Sequence, residues 1–122
     1  MYHFRNDYSV GCHPAVLEAL AAVNQESVIG YGQDDYCKKS ADLIRELCHA
    51  PQASVEFMIG GTQANFTAIA AFLRPWESVI SPVSGHINGH ESGAVEATGH
   101  KIIPVHTPIN GKLSPTLIRP VL

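Results

Sequence analysis

The sequence predicts an α/β fold built on a parallel sheet. Two observations carry that expectation. Short apolar runs bounded by turn residues alternate with stretches of helical periodicity, in the order strand, helix, strand, helix, strand. A pair of glycines, Gly60-Gly61, also falls where the first of these strands hands over to a helix. At 122 residues, 45% hydrophobic and 16% charged, the chain has a globular composition and room for one domain.

The elements follow in order. Pro14 to Val23 places Val16, Ala19, Leu20 and Val23 on one face, with Pro14 in the favoured first turn. After Gly30-Tyr31-Gly32-Gln33, Asp34 or Asp35 can cap a helix running to about His49. Its apolar stripe is Leu43, Ile44, Leu47 and Cys48, and its wet face is Lys38, Lys39, Asp42, Arg45 and Glu46. Ser54 to Ile59 is the first expected strand. Thr62 opens a helix through Leu73 that is apolar nearly all round, which predicts burial on several sides. Ser78 to Ile80 and Lys101 to Val105 are the other two strands, with a helix from Glu91 to Thr98 between them; Pro104 points to an edge or a strand end. Asn110-Gly111 marks a turn, and Ser114 can cap a last helix that Pro120 interrupts.

Composition excludes several classes. The longest apolar run, Ala68 to Leu73, is far short of a bilayer span, and the first residues lack the apolar core of a secretory signal. The expected location is the cytoplasm. A net charge of -3 with only eight Lys and Arg argues against a nucleic-acid surface. Cys12, Cys37 and Cys48 form no C-x-x-C pair and read as reduced, partly buried thiols.

Chemistry concentrates in two places. Ile59-Gly60-Gly61-Thr62-Gln63-Ala64-Asn65 puts glycines, free helix N–H groups and the Thr62 hydroxyl together, an arrangement suited to a phosphate; a plain glycine turn with Thr62 as its cap is the simpler alternative. Gly85-His86-Ile87-Asn88-Gly89-His90-Glu91 carries two histidines four apart. On a helix these could bind a metal beside Glu91, but Gly89 and Gly93 weaken that helix, and a single His set against a flat ring or a phosphate needs only one residue. Asn6, Asp7, Tyr8, Ser9, Tyr31 and Asp34 could line a pocket, with turn formation and capping as their ordinary use.

Taken in order, Phe4-Arg5-Asn6-Asp7-Tyr8-Ser9, Gly30-Tyr31-Gly32-Gln33-Asp34-Asp35, Gly60-Gly61-Thr62-Gln63-Ala64-Asn65, His86-Ile87-Asn88 through Glu91-Ser92-Gly93, and Glu96-Ala97-Thr98-Gly99-His100-Lys101 resemble the N-terminal part of the low-specificity L-threonine aldolases. These belong to the β-eliminating lyases that use pyridoxal 5'-phosphate. The resemblance covers the whole chain and about the first third of such an enzyme. It implies an incomplete copy of the large pyridoxal-phosphate-dependent transferase-like domain, three layers α/β/α around a mostly parallel sheet. Residues 1–122 would be one partial domain, with N-terminal helices over 1–50 and the start of the cofactor-binding layer over 51–122.

The resemblance also implies roles. Gly60, Gly61 and Thr62 match the loop that holds the cofactor phosphate, and His86 matches the residue that stacks on the pyridine ring and takes part in catalysis. Asn6 and Tyr31 fall near the substrate, and Glu91 stands behind the site. The implied reaction is retro-aldol cleavage of a β-hydroxy-α-amino acid to glycine and an aldehyde, in a homo-oligomer, with no resident metal. The family's Schiff-base lysine has no counterpart among Lys38, Lys39, Lys101 and Lys112, so the chain by itself is expected to be inactive. Two alternatives stand beside this: a catalytically dead remnant that binds phosphate or pairs with a subunit, and a metal-assisted hydrolase using His86, His90 and Glu91.

Overall fold

A computed structural model describes Asn6 and residues 8–122; residues 1–5 and Asp7, with the expectation for Asp7, lie outside the described residues. The chain divides into two compact units, Met1–Glu56 and Phe57–Leu122.

The first unit holds two helices. Helix α1, Pro14–Val23, starts where expected, with Pro14 in the first turn and His13 Nδ1 accepting from the Ala15 N–H. Helix α2, Asp35–Leu47, is capped by Asp34, whose carboxylate accepts from the Cys37 N–H at 2.8 Å. That hydrogen bond holds the Asp34 carboxyl below the usual carboxylate range, and the Asp34 contact in turn raises the Cys37 thiol. The helix ends at Cys48, followed by His49 at φ 51 and a bond from the Ala50 N–H to the Arg45 carbonyl. Exposed pairs Lys38–Asp35 and Arg45–Asp42 lie along its wet face. Ala41 alone is buried in this unit among the described residues, and Leu17, Leu20, Leu43 and Leu47 are exposed. All three cysteines are free; Cys12 and Cys48 are exposed, contrary to the expected partial burial, and Cys37 is half-buried.

Because the ionised Asp34 is the better acceptor, the cap has a pH signature. A carboxyl whose pKa is lower in the folded than in the unfolded state stabilises above its unfolded value of 3.8, and that contribution disappears as pH falls through the folded value. Helical circular dichroism from α2 should therefore decline below about pH 4 in the wild type. Asp34→Ala should lower it at neutral pH and flatten this acid dependence. An unchanged acid profile in the variant would contradict the capping role.

The second unit begins with α3, Gly61–Phe72, and contains a two-stranded parallel sheet, β1 (Val79–Pro82) beside β2 (Ile102–Val105). Val79 faces Ile102 and Pro82 faces Val105. Between the strands lie a one-turn helix α4, His86–Gly89, and a 3-10 turn at Glu96–Thr98. A second one-turn helix, α5 (Pro115–Ile118), is followed by a 3-10 turn at Arg119–Val121, where Pro120 sits in the first positions and no N–H is needed. Val95, Ile102 and Val105 are the buried apolar residues, and Ser81, Glu91 and His100 the buried polar ones, among the described residues of this unit. The His100 ring reaches the Glu77 carbonyl at 3.1 Å.

Three expectations need correction here. Residues 54–59 form no strand, because extended backbone becomes a strand only where a neighbour completes its ladder, and no strand pairs with this segment among the described residues. The helix expected over Glu91–Thr98 shrinks to its last turn. Ser92 at φ 53 and Gly93 at φ 77 are consecutive left-handed residues, which a right-handed helix does not admit. Finally, no residue of α3 is buried, and Phe72 is 87% exposed. Composition shows that a helix can be covered on several sides; it cannot show that the cover is present. Pro104 sits within β2 opposite Ser81, tolerated because both strands of a two-stranded sheet are edges.

Candidate functional site

The site in the second unit grows from two local structures. The first is the start of α3. Gly60 is its N-cap in extended backbone, and no side chain caps this end, so Thr62 is not the cap. The first intrahelical bond runs from the Ala64 N–H to the Gly60 carbonyl. The N–H groups of Gly61, Thr62 and Gln63 precede it and have no intrahelical acceptor. Gln63 turns its side-chain carbonyl back to the Ile59 N–H at 2.9 Å, which fixes the approach to the helix. A Cβ built at Gly60 or Gly61 meets nothing within 4 Å, so the backbone there is open to a ligand. Open space, donors without an intrahelical acceptor and the positive helix end suit a phosphate group.

The second local structure is the turn after β1. Gly85 N–H donates to the Pro82 carbonyl at 2.8 Å, and His86 follows as the first residue of α4. The His86 ring is largely exposed, while the Glu91 side chain is fully buried. His86 Nδ1 lies 2.7 Å from Glu91 Oε1. The same oxygen accepts from Asn65 Nδ2 at 2.6 Å. Asn65 is on α3, one turn beyond Thr62, so Glu91 links the two local structures. Its other oxygen, Oε2, is buried without a hydrogen-bond partner among the described residues. His90 sets its ring 5.5 Å from that of His86, tilted by 43°.

The structure thus brings Asn65, His86 and Glu91 together within the unit that also holds Gly60, Gly61 and Thr62. Asn65 is the residue that sequence reasoning missed as a participant. It stood in the quoted motif, but a contact 26 positions along the chain leaves no local signal. Asn6 and Tyr31 belong to the first unit. Asn6 Oδ1 accepts from the Tyr8 N–H and the Ser9 hydroxyl, a local turn, and Tyr31 is fully exposed at φ 61. Asp34 is occupied as a helix cap. Among the described residues, no three His, Cys, Asp or Glu side chains gather as a metal-binding group. A shallow groove of about 340 Å³ at the ends of the strands, between Val83, Ser84, His106 and Gly111, holds no buried polar side chain.

A parallel strand pair, a helix opened by glycines and left without a side-chain cap, and a histidine held from behind by a buried carboxylate together define an α/β protein. The chain belongs to the beta-eliminating lyase family, which it matches over residues 3–122. It is 32% identical over 120 residues to the low specificity L-threonine aldolase of Pseudomonas aeruginosa. It is 31% identical to the enzyme of that name from a Pseudomonas species. Each alignment takes in 97% of this chain and 34% of the relative, so the chain spans about a third of the length of these curated relatives. A solved structure of Leishmania major threonine aldolase superposes with a TM-score of 0.90 at 50% identity, covering 96% of this chain and 34% of that one. The fold is therefore the α/β fold that the resemblance implied. No helix among the described residues is long and apolar enough to cross a membrane.

Proposed function

We propose that this chain supplies the phosphate seat and the ring-facing histidine of a pyridoxal-phosphate-dependent lyase of the threonine aldolase type, acting on β-hydroxy-α-amino acids in a homo-oligomer. One observation carries the reading. The uncapped, glycine-opened start of α3 is tied through its own Asn65 to the buried carboxylate that holds His86. A phosphate seat and an aromatic face tied to one helix suit a flat phosphorylated ring.

In this reading the N–H groups of Gly61, Thr62 and Gln63, with the Thr62 hydroxyl, bind the phosphate, and His86 offers its imidazole face to the pyridine. Bound pyridoxal 5'-phosphate supplies the electron sink that makes cleavage of the Cα–Cβ bond accessible, giving glycine and an aldehyde. Asn6 and Tyr31 are assigned to the substrate side. None of Lys38, Lys39, Lys101 and Lys112 is assigned the covalent link to the cofactor.

The test uses the full-length protein. Thr62→Ala removes one charge-assisted hydrogen bond to the phosphate and should weaken cofactor retention roughly tenfold. His86→Ala should change the absorbance of the bound cofactor. Cofactor content after gel filtration and a visible spectrum read both. Unchanged occupancy together with an unchanged spectrum in the two variants would refute the assignment.

A further inference from the structure

Glu91 is an unusual place to bury a carboxylate. Its side chain is fully buried, yet two donors converge on one oxygen and the second oxygen has no partner among the described residues. Burying an acceptor without a partner costs stability. The expense makes sense only if the bonded oxygen performs a task that an apolar residue could not.

We propose that Glu91 is a positioning residue that selects the tautomer of His86 and sets the direction of its ring. The inference rests on the reading of His86 as the ring-facing residue of the cofactor site. An ionised carboxylate only accepts hydrogen bonds. Oε1 therefore requires a proton on His86 Nδ1, 2.7 Å away. In the neutral imidazole this leaves Nε2 bare, so the exposed side of the ring presents an acceptor. Asn65 Nδ2, 2.6 Å from the same oxygen, holds that oxygen in place against α3. The direction of the imidazole is thus referred to the same helix whose first turn forms the phosphate seat. Backbone geometry supports the arrangement: Ser92 and Gly93, both left-handed, turn the chain immediately after Glu91. A non-glycine residue in that conformation is held there by its surroundings.

The test is the tautomer itself, read in the full-length protein by ¹⁵N NMR of the His86 ring, with pyridoxal-phosphate affinity measured in parallel. The wild type should show Nδ1 protonated and Nε2 bare. Glu91→Ala should shift His86 toward the Nε2–H form, which free imidazole side chains prefer, and weaken pyridoxal-phosphate binding roughly tenfold. Glu91→Gln keeps an oxygen for both donors, fills the same volume and should retain the wild-type tautomer. Retention of the Nδ1–H form in Glu91→Ala would overturn the inference. So would a loss in Glu91→Gln as large as in Glu91→Ala, since an oxygen acceptor at that point would then not be what selects the tautomer. If Thr62→Ala and His86→Ala leave cofactor binding untouched while the tautomer follows Glu91, the cofactor reading fails and the positioning role stands.

Discussion

Replacing Gly85 with alanine is expected to disrupt the turn that carries His86 and to cost about 1–3 kcal/mol of stability. The reason is space and not backbone conformation. Gly85 has φ -66 and ψ 144, angles that any residue adopts. A Cβ at this position would collide with Ser81 Oγ and lie 3.0 Å from the Pro82 carbonyl oxygen. Neither neighbour can easily yield. Ser81 is buried with its hydroxyl on the Pro82 carbonyl, and that carbonyl also receives the Gly85 N–H. Relief must come from moving residues 85 and 86, which pulls His86 away from Glu91. Gly85→Ala should thus lower the denaturant midpoint and broaden or shift the His86 ring resonances. Gly89→Ala is the control, because a Cβ there meets nothing within 4 Å. Equal behaviour of the two variants would show that the crowding at Gly85 has no consequence.

Val95→Asp should be the most damaging single change in the second unit. Val95 is the one residue, backbone included, that is completely buried among the described residues. An aspartate there has to bury its carboxyl without a designed partner, at a cost of several kcal/mol, comparable with the whole stability of a small domain. Val95→Ala, which only leaves a small cavity, should cost roughly 2 kcal/mol. Denaturant titration of both variants separates a lost contact from a buried charge. An aspartate variant as stable as the alanine variant would mean that this position reaches water.

Much of the local structure was legible because its causes are local. Pro14 starts α1 through its fixed φ, and Asp34 caps α2 with a side chain three residues from its donor. The glycines before α3 mark an open helix end whatever packs around it. The motif order also pointed, through a family resemblance, to the family that the chain belongs to. The failures have a common origin. Residues 54–59 have the apolar content of a strand but find no ladder among the described residues, and α3 has apolar faces that no described residue buries. Both outcomes depend on neighbours, and apolar content or periodicity reports only what a segment is able to pair with.

What the sequence determined by itself was the set of parts: a glycine-opened helix start, a histidine after a glycine turn, and an acidic residue nearby. Tertiary structure decided how those parts cooperate. Glu91 is buried, Asn65 meets it from α3, and His86 shares its oxygen at 2.7 Å, none of which spacing could reveal. Hydrogen bonds between residues far apart in the chain depend on how the elements pack, and packing sums many weak contacts that no local motif encodes.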